Sequence, residues 1–305
     1  MNDFELTLLG TSSSQPAFGR FPTSQILRYH NDLYMIDCGE GTQIQLSQFK
    51  IKRKLVKVIF ISHLHGDHIF GLPGVITSFL HYSRTIPLHI IGPVGIKKFV
   101  DTCIELSGSQ LNYSLLVTEF DATISQIVYE DHNLSVRSLP LKHRLPTMGF
   151  IFEELPQPRK LRPEKIEMFG LSHQEIKTLK ADQPVVRDDG STLLPDEFNY
   201  PKSKPRRYAF LSDTIYDPSL VDAIRDINVI YHETTYLSDM EKEAIMRMHA
   251  TSLQAANIAA AANAGMLITG HYSSRYKDVS AFETECRTIF ENTQLGLEGR
   301  VYPIL

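Results

Sequence analysis

Three histidines and one aspartate lie within the six residues of His63-Leu64-His65-Gly66-Asp67-His68. Neutral imidazole and carboxylate groups are ligands that suit zinc and similar divalent metals. Four such groups are more than one structural site needs, so the segment predicts a metal site, and a binuclear one. The alternative is a histidine-rich loop that is merely polar, and the placement of Gly66 and Asp67 argues against it.

The elements around this segment explain how its side chains could share a centre. The apolar run Val58-Ile59-Phe60-Ile61 precedes it and has the character of a buried strand. A loop at a strand end can direct all four groups toward one point, whereas a helix face could not. Further ionisable residues follow other predicted strands, namely Asp37, His143, Asp213 and His271. Ligands gather beyond strand ends in layered α/β folds, so we expect these groups to converge in an α/β/β/α sandwich with helices outside two sheets.

The hydrophobic pattern places the individual elements. Strands are predicted at Phe4–Gly10, Ser24–Tyr29, Leu33–Ile36, Leu88–Ile91, Leu134–Leu139, Met148–Glu153, Tyr208–Asp213, Asn228–Tyr231 and Met266–Thr269. Helices are predicted at Thr42–Phe49, after the histidine segment, from Gly92-Pro93 toward Leu106, and from Thr251-Ser252 to Ala262. The segment Leu155–Pro205 is rich in proline and charge, without a strand pattern and with at most one short helix near Ser172–Leu179. Loops of this length are usually functional or mobile.

Composition bounds the class of protein. The chain has 305 residues, of which 42% are hydrophobic and 22% charged, which excludes a disordered protein. It has neither a membrane-spanning run of ~20 apolar residues nor a signal segment, so we expect no membrane partner and a cytoplasmic protein. The three cysteines are too few for a disulfide framework. The net charge is −4, yet basic residues crowd positions 50–57, 159–165 and 202–207, which makes a phosphate-rich ligand plausible.

Strings along most of the chain carry a family resemblance. They are Leu9-Gly10-Thr11-Ser12-Ser13, Asp37-Cys38-Gly39-Glu40-Gly41-Thr42-Gln43, His143-Arg144-Leu145-Pro146, Phe210-Leu211-Ser212-Asp213-Thr214, His232-Glu233-Thr234-Thr235 and Gly270-His271-Tyr272-Ser273-Ser274-Arg275-Tyr276. The histidine segment alone resembles the metallo-β-lactamase superfamily. Together with the other strings, up to about Tyr276, the chain resembles the ribonuclease Z branch, the short-form tRNA 3′-processing endonucleases.

This resemblance implies a fold and a metal content. The fold would be the metallo-β-lactamase αβ/βα four-layer sandwich, a single domain over residues 1–305 with a protruding exosite arm at 154–178 that binds tRNA. Each subunit would hold two Zn2+ ions. The implied ligands are His63, His65 and His143 for the first ion, Asp67, His68 and His271 for the second, and Asp213 as the bridge.

The resemblance also implies an activity. A zinc-dependent endoribonuclease would remove 3′ trailers from precursor tRNA by attack of a metal-bound hydroxide on the phosphodiester, leaving a 3′-hydroxyl on the tRNA and a 5′-phosphate on the trailer. Asp67 would accept or orient the water proton, His249 would protonate the leaving oxygen, and Glu233 would orient His249. Asp37 would orient ligands, and Arg159, Lys160, Arg162 and Lys165 of the arm would contact phosphates. The family also implies a homodimer.

Two other functions compete with this one. A general zinc phosphodiesterase, or another hydrolase of small esters with the same fold, would use the same ligands. A non-catalytic RNA-binding protein that has lost its metals would not need the metal ligands. Every expected ligand is present, which argues against this alternative. We interpret His232 as a structural residue at a strand end, because nothing in the pattern makes it a ligand.

Overall fold

The computed structural model describes residues 4–81, 84–156, 158–202 and 204–305. Its chain divides into two compact units, one made of Met1–Glu153 with Arg206–Leu305 and the other of Glu154–Pro205. The predicted arm, 154–178, falls within the second unit, and its role stays a prediction. The predicted domain bounds of 1–305 include residues 1–3, 82, 83, 157 and 203, which lie outside the described residues.

The first sheet of the larger unit has seven strands in the order β16-β1-β2-β3-β4-β5-β6. These strands are β1 Phe4–Gly10, β2 Ser24–Tyr29, β3 Asp32–Cys38, β4 Val56–Phe60, β5 Leu88–Pro93, β6 Leu115–Phe120 and β16 Val301–Pro303. Strands β3 to β6 run parallel, so their carboxyl ends share one edge of the sheet. Buried residues dominate β4, as expected of a parallel strand that is covered on both faces.

The second sheet also has seven strands, in the order β15-β14-β13-β12-β9-β8-β7. They are β7 Ile127–Glu130, β8 Leu134–Leu141, β9 Thr147–Glu154, β12 Arg207–Leu211, β13 Val229–Glu233, β14 Met266–Gly270 and β15 Thr293–Gln294. Strands β12 to β15 run parallel, and β9 pairs antiparallel with β12. The carboxyl ends of β12, β13 and β14 therefore share one edge of this sheet.

Helices cover the outer face of each sheet, which makes the expected four layers. Their bounds are α1 Thr42–Gln48, α2 Gly66–Ile69, α3 Leu72–His81, α4 Ile96–Leu106, α8 Glu241–Arg247, α9 Ser252–Ala261 and α10 Ser280–Arg287, with 3₁₀ turns at Arg53–Leu55, Pro218–Leu220 and Ser238–Met240. Leu46, Val75 and Val100 join α1, α3 and α4 to the first sheet. Ala256 and Cys286 join α9 and α10 to the second. A third cluster, with Phe60 and Phe150, fills the space between the sheets.

The smaller unit is more ordered than the sequence suggests. It contains helices α5 Pro163–Met168, α6 His173–Lys180 and α7 Pro195–Phe198, and a two-stranded hairpin of β10 Val185–Val186 and β11 Thr192–Leu193. The prediction of one short helix near Ser172–Leu179 is confirmed by α6. The expectation that the segment would contain no strand and no second helix was wrong. Buried Leu161, Leu171, Leu179, Leu193 and Phe198 form a core of its own. These apolar residues are spaced too irregularly for a period to show in the sequence.

A second expectation was also wrong. The helix predicted to start at Gly92-Pro93 begins at Ile96, and Pro93 is the last residue of β5. The chain turns at Gly95, whose φ of 108° is readily accessible to glycine. The capped helix predicted from Thr251-Ser252 is confirmed, since Thr251 and Gln254 form a capping box at the start of α9. In the described part of the chain, no helix is long and apolar enough to cross a bilayer.

Candidate metal centre

Four side chains converge in a first cluster. His63 and His65 follow β4, His143 follows β8 and Asp213 follows β12, and one ligand atom from each lies within 4.8 Å of the others. The Nδ1 atom of His65 is 2.9 Å from Nε2 of His63 and 3.3 Å from Nε2 of His143. Ring nitrogens this close repel through their lone pairs unless a proton or a cation lies between them. The cluster therefore has the donor chemistry of a divalent metal site.

Three side chains form a second cluster beside the first. Asp67 and His68 lie in the short helix α2, and His271 follows β14; their ligand atoms also lie within 4.8 Å of one another. The Nε2 atoms of His68 and His271 are each 3.6 Å from Oδ2 of Asp67. Both nitrogens are buried without a hydrogen-bond partner in the described parts of the chain. Such orphaned buried nitrogens are costly unless a metal ion satisfies them.

The carboxylate of Asp213 joins the two clusters. Its Oδ1 is 3.2 Å from Nε2 of both His68 and His271. Its Oδ2 is 3.7 Å from Nε2 of His63 and 3.6 Å from Nε2 of His143. One oxygen thus faces each cluster, which is the arrangement needed to bridge two cations.

The outward nitrogens of the second cluster are held by neighbouring side chains. Nδ1 of His68 is 2.7 Å from Oδ2 of Asp37, whose other oxygen accepts a hydrogen bond from the Ser62 amide. Nδ1 of His271 is 2.9 Å from the Thr235 hydroxyl. Such partners fix ring orientation and direct Nε2 toward the centre. The predicted orienting role of Asp37 is consistent with these contacts.

Both clusters have further supports that sequence reasoning missed. Nδ1 of His143 is 3.0 Å from the Met248 carbonyl, and Nδ1 of His63 is 3.0 Å from the Ser62 hydroxyl. The amide of Ser14 donates a 2.7 Å hydrogen bond to Oδ2 of Asp67. Main-chain groups carry no signal in a single sequence, so two of these three contacts could not have been predicted.

Several of these residues adopt a left-handed backbone conformation. The φ angles are 56° at Asp37, 60° at Asp213, 59° at His271 and 59° at Met248. Non-glycine residues pay a steric penalty there, and such strain clusters at functional sites. Asp213 and His271 adopt this conformation just after β12 and β14, where the chain leaves the edge of the sheet.

The protonation of the histidines follows from burial and charge. Burial lowers the pKa values of His63, His65 and His143, which keeps these imidazoles in the neutral form that binds metal. Burial also lowers the pKa of His68, but Asp213 and Asp37 outweigh it and raise that pKa well above its ordinary value. A proton and a metal therefore compete for His68.

A pair of a partly exposed histidine and a buried carboxylate adjoins both clusters. Nδ1 of His249 is 2.8 Å from Oε1 of Glu233, whose other oxygen accepts a hydrogen bond from the Thr235 hydroxyl. Burial lowers the pKa of His249, but Glu233 outweighs this effect and raises it to about 9. The ring of His249 is 5.1 Å from that of His143 and 5.3 Å from that of His271, between centroids. It can hold a proton at the edge of the centre at neutral pH.

The centre opens into a cavity of about 540 Å³ with a cationic rim. Arg144, Arg247 and Arg275 line it together with His65, Asp67 and His249. Both Arg247 and Arg275 contact Oε1 of Glu243, at 2.5 Å and 3.4 Å. Guanidinium groups at such a rim suit phosphate oxygens. His232, by contrast, is buried in β13 with Nδ1 2.7 Å from the Glu233 carbonyl, away from the ligand groups.

Comparison with known sequences gives one family model and several relatives, of which two are described here. A family model described as "Anti-Pycsar protein Apyc1" matches residues 4–133. The ribonuclease Z of Bacteroides fragilis strain YCH46 is 36% identical over 299 residues, which is 98% of each chain. The ribonuclease Z of Cytophaga hutchinsonii is 40% identical over 298 residues, covering 97% of this chain and 95% of that protein.

Comparison with solved structures concerns the fold. The short form of human tRNase Z superposes with a TM-score of 0.71 at 24% identity, covering 99% of both chains. YhfI from Bacillus subtilis, a metallo-β-lactamase fold protein, gives a TM-score of 0.68 at 15% identity over 98% of both chains. The two covered sheets described above are therefore the metallo-β-lactamase sandwich.

Proposed function

This chain belongs to the ribonuclease Z family, and from that premise we propose that it is an endoribonuclease that removes the 3′ trailer from precursor tRNA. Cleavage would leave a 3′-hydroxyl on the tRNA and a 5′-phosphate on the trailer. The observation that carries the proposal is the convergence of seven metal-ligating side chains beside the Glu233–His249 pair, in a cavity lined by arginines.

The proposed cofactor is a pair of Zn2+ ions in each subunit. His63, His65 and His143 would hold one ion, Asp67, His68 and His271 the other, and Asp213 would contact both. The donor set supports this assignment, since imidazole and carboxylate suit zinc and the two clusters share a carboxylate. When bound, the ions would supply a water that is activated near neutral pH and positive charge against the phosphodiester oxygens.

The chain's own residues would manage the proton and the charge. The 3′-oxygen of ribose is a poor leaving group, so it needs a proton as the bond breaks. His249 would hold that proton on Nε2, because Glu233 occupies Nδ1. Asp67, which is fixed by the Ser14 amide, would orient the attacking water. Arg144 and Arg247 would contact phosphate oxygens next to the scissile bond.

His249 has an alternative role as a metal ligand. A ligand atom of His249 lies within 4.8 Å of those of Asp213 and His271, so the distance permits it. Two observations favour the role of acid. Its Nδ1 pairs with Glu233, and the charge of that carboxylate raises the pKa of His249 to about 9, which favours the protonated ring that an acid needs.

The smaller unit supplies a candidate surface for tRNA phosphates. Three of the four cations that were expected to bind phosphate instead make contacts within the unit. The Arg159 side chain is only 8% exposed and pairs with Asp182 and Asp196. Arg162 lies over the Tyr200 ring, and Lys165 lies over Phe169 and Phe198. These three cations therefore help to hold the unit together.

Exposed lysines of the same unit are better placed for phosphate. Lys160 and Lys180 are exposed and line a cavity of about 710 Å³ that also contains Tyr200 and Lys202. We assign the proposed tRNA contact of the smaller unit to Lys160, within the predicted arm, and to Lys180, just after it. Phosphate contacts of this kind position a nucleic acid without reading its sequence.

Assembly and location belong to the proposal as well. Family membership favours a homodimer, which light scattering of the purified protein would test. We propose that the enzyme acts in the cytoplasm, where precursor tRNA is its partner.

The deciding experiment compares two substrates. The zinc-loaded protein should cleave a defined 3′-extended precursor tRNA at one position, with a 5′-phosphate on the released trailer. It should act more weakly, as judged by kcat/KM, on a small chromogenic phosphodiester. Activity on the small ester alone would instead identify a general phosphodiesterase of this fold, and zinc-free protein that binds tRNA without cutting it would identify a binding protein.

A further inference from the structure

A second cavity, of about 310 Å³, adjoins the metal centre, and nothing in the proposed chemistry uses it. It is lined by Leu64, Pro93, Val94, Asp121, Ala122, Thr123, Leu145 and Pro146. We propose that this cavity binds the nucleobase of the first trailer nucleotide, immediately downstream of the cut; the inference rests on the proposed tRNA-cleaving function.

The position of the cavity makes it a continuation of the catalytic edge. Pro93 ends β5, and Asp121 follows the last residue of β6. Since β4, β5 and β6 are parallel, this cavity and His63 lie beyond the same edge of the first sheet. Ligands in open α/β sheets bind along such an edge.

Two residues of the wall are chain neighbours of metal ligands. Leu64 lies between His63 and His65, so its Cα is ~3.8 Å from theirs along the chain. Leu145 comes two residues after His143. The wall of the cavity therefore begins within two residues of the proposed ligands.

The lining chemistry suits a base rather than a phosphate. None of the eight lining residues is cationic, whereas three arginines line the catalytic cavity. The apolar wall is solvent-accessible, since Val94 is 72% and Leu145 37% exposed. On the rim, Asp121 accepts hydrogen bonds from the amide and hydroxyl of Thr123, which places polar atoms beside the apolar wall. An apolar slot with a few polar groups is typical of a site for a flat heterocycle.

The direction of cleavage selects the trailer base. His249, the proposed proton donor, must approach the leaving 3′-oxygen, which belongs to the upstream nucleotide. The catalytic cavity is lined by His249 together with Tyr236, Arg247 and Arg275 from the second half of the chain. Among the described residues, none after Pro146 lines the second cavity. Because the two cavities are lined by different segments, we assign the second cavity to the downstream nucleotide and the His249 side of the centre to the upstream one.

The test is a coupling experiment with a modified substrate. Three precursor tRNAs are compared: an intact one, one with an abasic residue at the first trailer position, and one with an abasic residue at the last position before the cut. For the wild-type enzyme we expect kcat/KM to fall about tenfold when the first trailer base is removed, equivalent to ~1.4 kcal/mol. Val94→Ala should lose about threefold on the intact substrate, and its penalty for the missing base should shrink to about threefold.

Matched controls separate the alternatives. Leu116→Ala removes a side chain that is 53% exposed on β6 outside the cavity, and it should keep the wild-type pattern. Equal penalties in wild type and Val94→Ala would overturn the inference, as would coupling to the upstream position. A loss of dimer in Val94→Ala, seen by light scattering, would show that a second copy occupies the cavity. A wild-type enzyme that cleaves no precursor would refute the proposed function itself, whereas equal cleavage of intact and abasic substrates refutes only this inference.

Discussion

At the scale of single residues, one carboxylate makes two clusters into one centre. Asp213 lies 3.2 Å from His68 and His271 through one oxygen, and 3.6–3.7 Å from His143 and His63 through the other. Without Asp213, the first cluster would keep the three histidines His63, His65 and His143, and the second would keep Asp67, His68 and His271. A bridging Asp213 would therefore affect both clusters, whereas each histidine would affect only one.

We predict that Asp213→Ala abolishes cleavage, with a loss of at least about 10³-fold, because it would empty a position shared by the two proposed ions. Metal content measured by atomic emission should fall below that of the wild type. Asp222→Asn is the control, because that carboxylate is 89% exposed and, among the described residues, its ion pair is with Arg225 three residues away. Wild-type metal content and rate in Asp213→Ala would contradict the bridging assignment.

His249 provides a second prediction at this scale. Its replacement by alanine should lower kcat by about 10²–10⁴-fold, the usual contribution of a general acid, with metal content unchanged. Loss of metal instead would identify His249 as a ligand.

The pH profile gives an independent check of that role. Since Glu233 raises the pKa of His249 to about 9, the protonated and active form persists up to that pH, and kcat should fall as the pH rises through it. Glu233→Gln removes the charge that raises the pKa, so the falling limb should move to lower pH. An unchanged alkaline limb would exclude His249 as the titrating acid.

At the scale of elements, strand ends bring the site together, and a separate unit is inserted in the chain between two of the strands. The sequence between β9 and β12 contains the whole smaller unit. Those two strands pair antiparallel, with Glu153 opposite Arg207. A short glycine-containing turn can therefore replace the unit without disturbing the sheet, because such turns connect adjacent antiparallel strands.

We predict that this replacement leaves hydrolysis of a small phosphodiester within about twofold of wild type while tRNA affinity falls at least about tenfold, since the phosphate contacts are lost. Lys160→Glu with Lys180→Glu should weaken tRNA binding in the same direction. Lys97→Glu with Lys98→Glu, on α4, makes the same change in charge and serves as the control. Retained tRNA cleavage after the replacement would show that this unit is not the exosite.

At the scale of the whole molecule, Glu298 holds the loop between Thr11 and Phe21, and this loop contacts Asp67 of the candidate metal centre. Glu298 accepts hydrogen bonds through Oε1 from the amides of Thr11 and Phe21, and through Oε2 from the Gln45 side chain. The loop between Thr11 and Phe21 carries Ser14, whose amide contacts Asp67. Residues almost 300 positions apart thus support one ligand.

Burial raises the pKa of the Glu298 carboxyl to about 7. A carboxyl whose pKa is higher in the folded than in the unfolded chain favours folding at low pH, and this contribution is lost as the pH rises through about 7. We therefore predict that the free energy of unfolding of the zinc-loaded wild type declines between pH 5 and 8 by up to about 3 kcal/mol more than that of Glu298→Gln. Denaturant unfolding at several pH values measures this difference, with Glu291→Gln as an exposed control. Parallel pH profiles for wild type and Glu298→Gln would contradict it.

The histidine segment and the dispersed residues Asp37, His143, Asp213 and His271 could be predicted because each has a chemically distinctive side chain directly after an apolar strand pattern. Short buried strands have a recognisable apolar pattern in the local sequence, so most strand positions could be predicted as well. The irregular apolar spacing of the smaller unit and the turn at Gly95 could not be predicted, because neither has a period that local sequence reveals.

The sequence by itself determined the chemistry of this protein, since residue types and their spacing specify which groups can bind a metal and which can carry a proton. Only the tertiary structure decided which oxygen of Asp213 faces which cluster, that the Met248 carbonyl and the Ser14 amide hold the ligands, and that an apolar cavity lies beside them. These features depend on distances between segments far apart in the chain. Such distances are set by packing two sheets against each other, which no single stretch of sequence encodes.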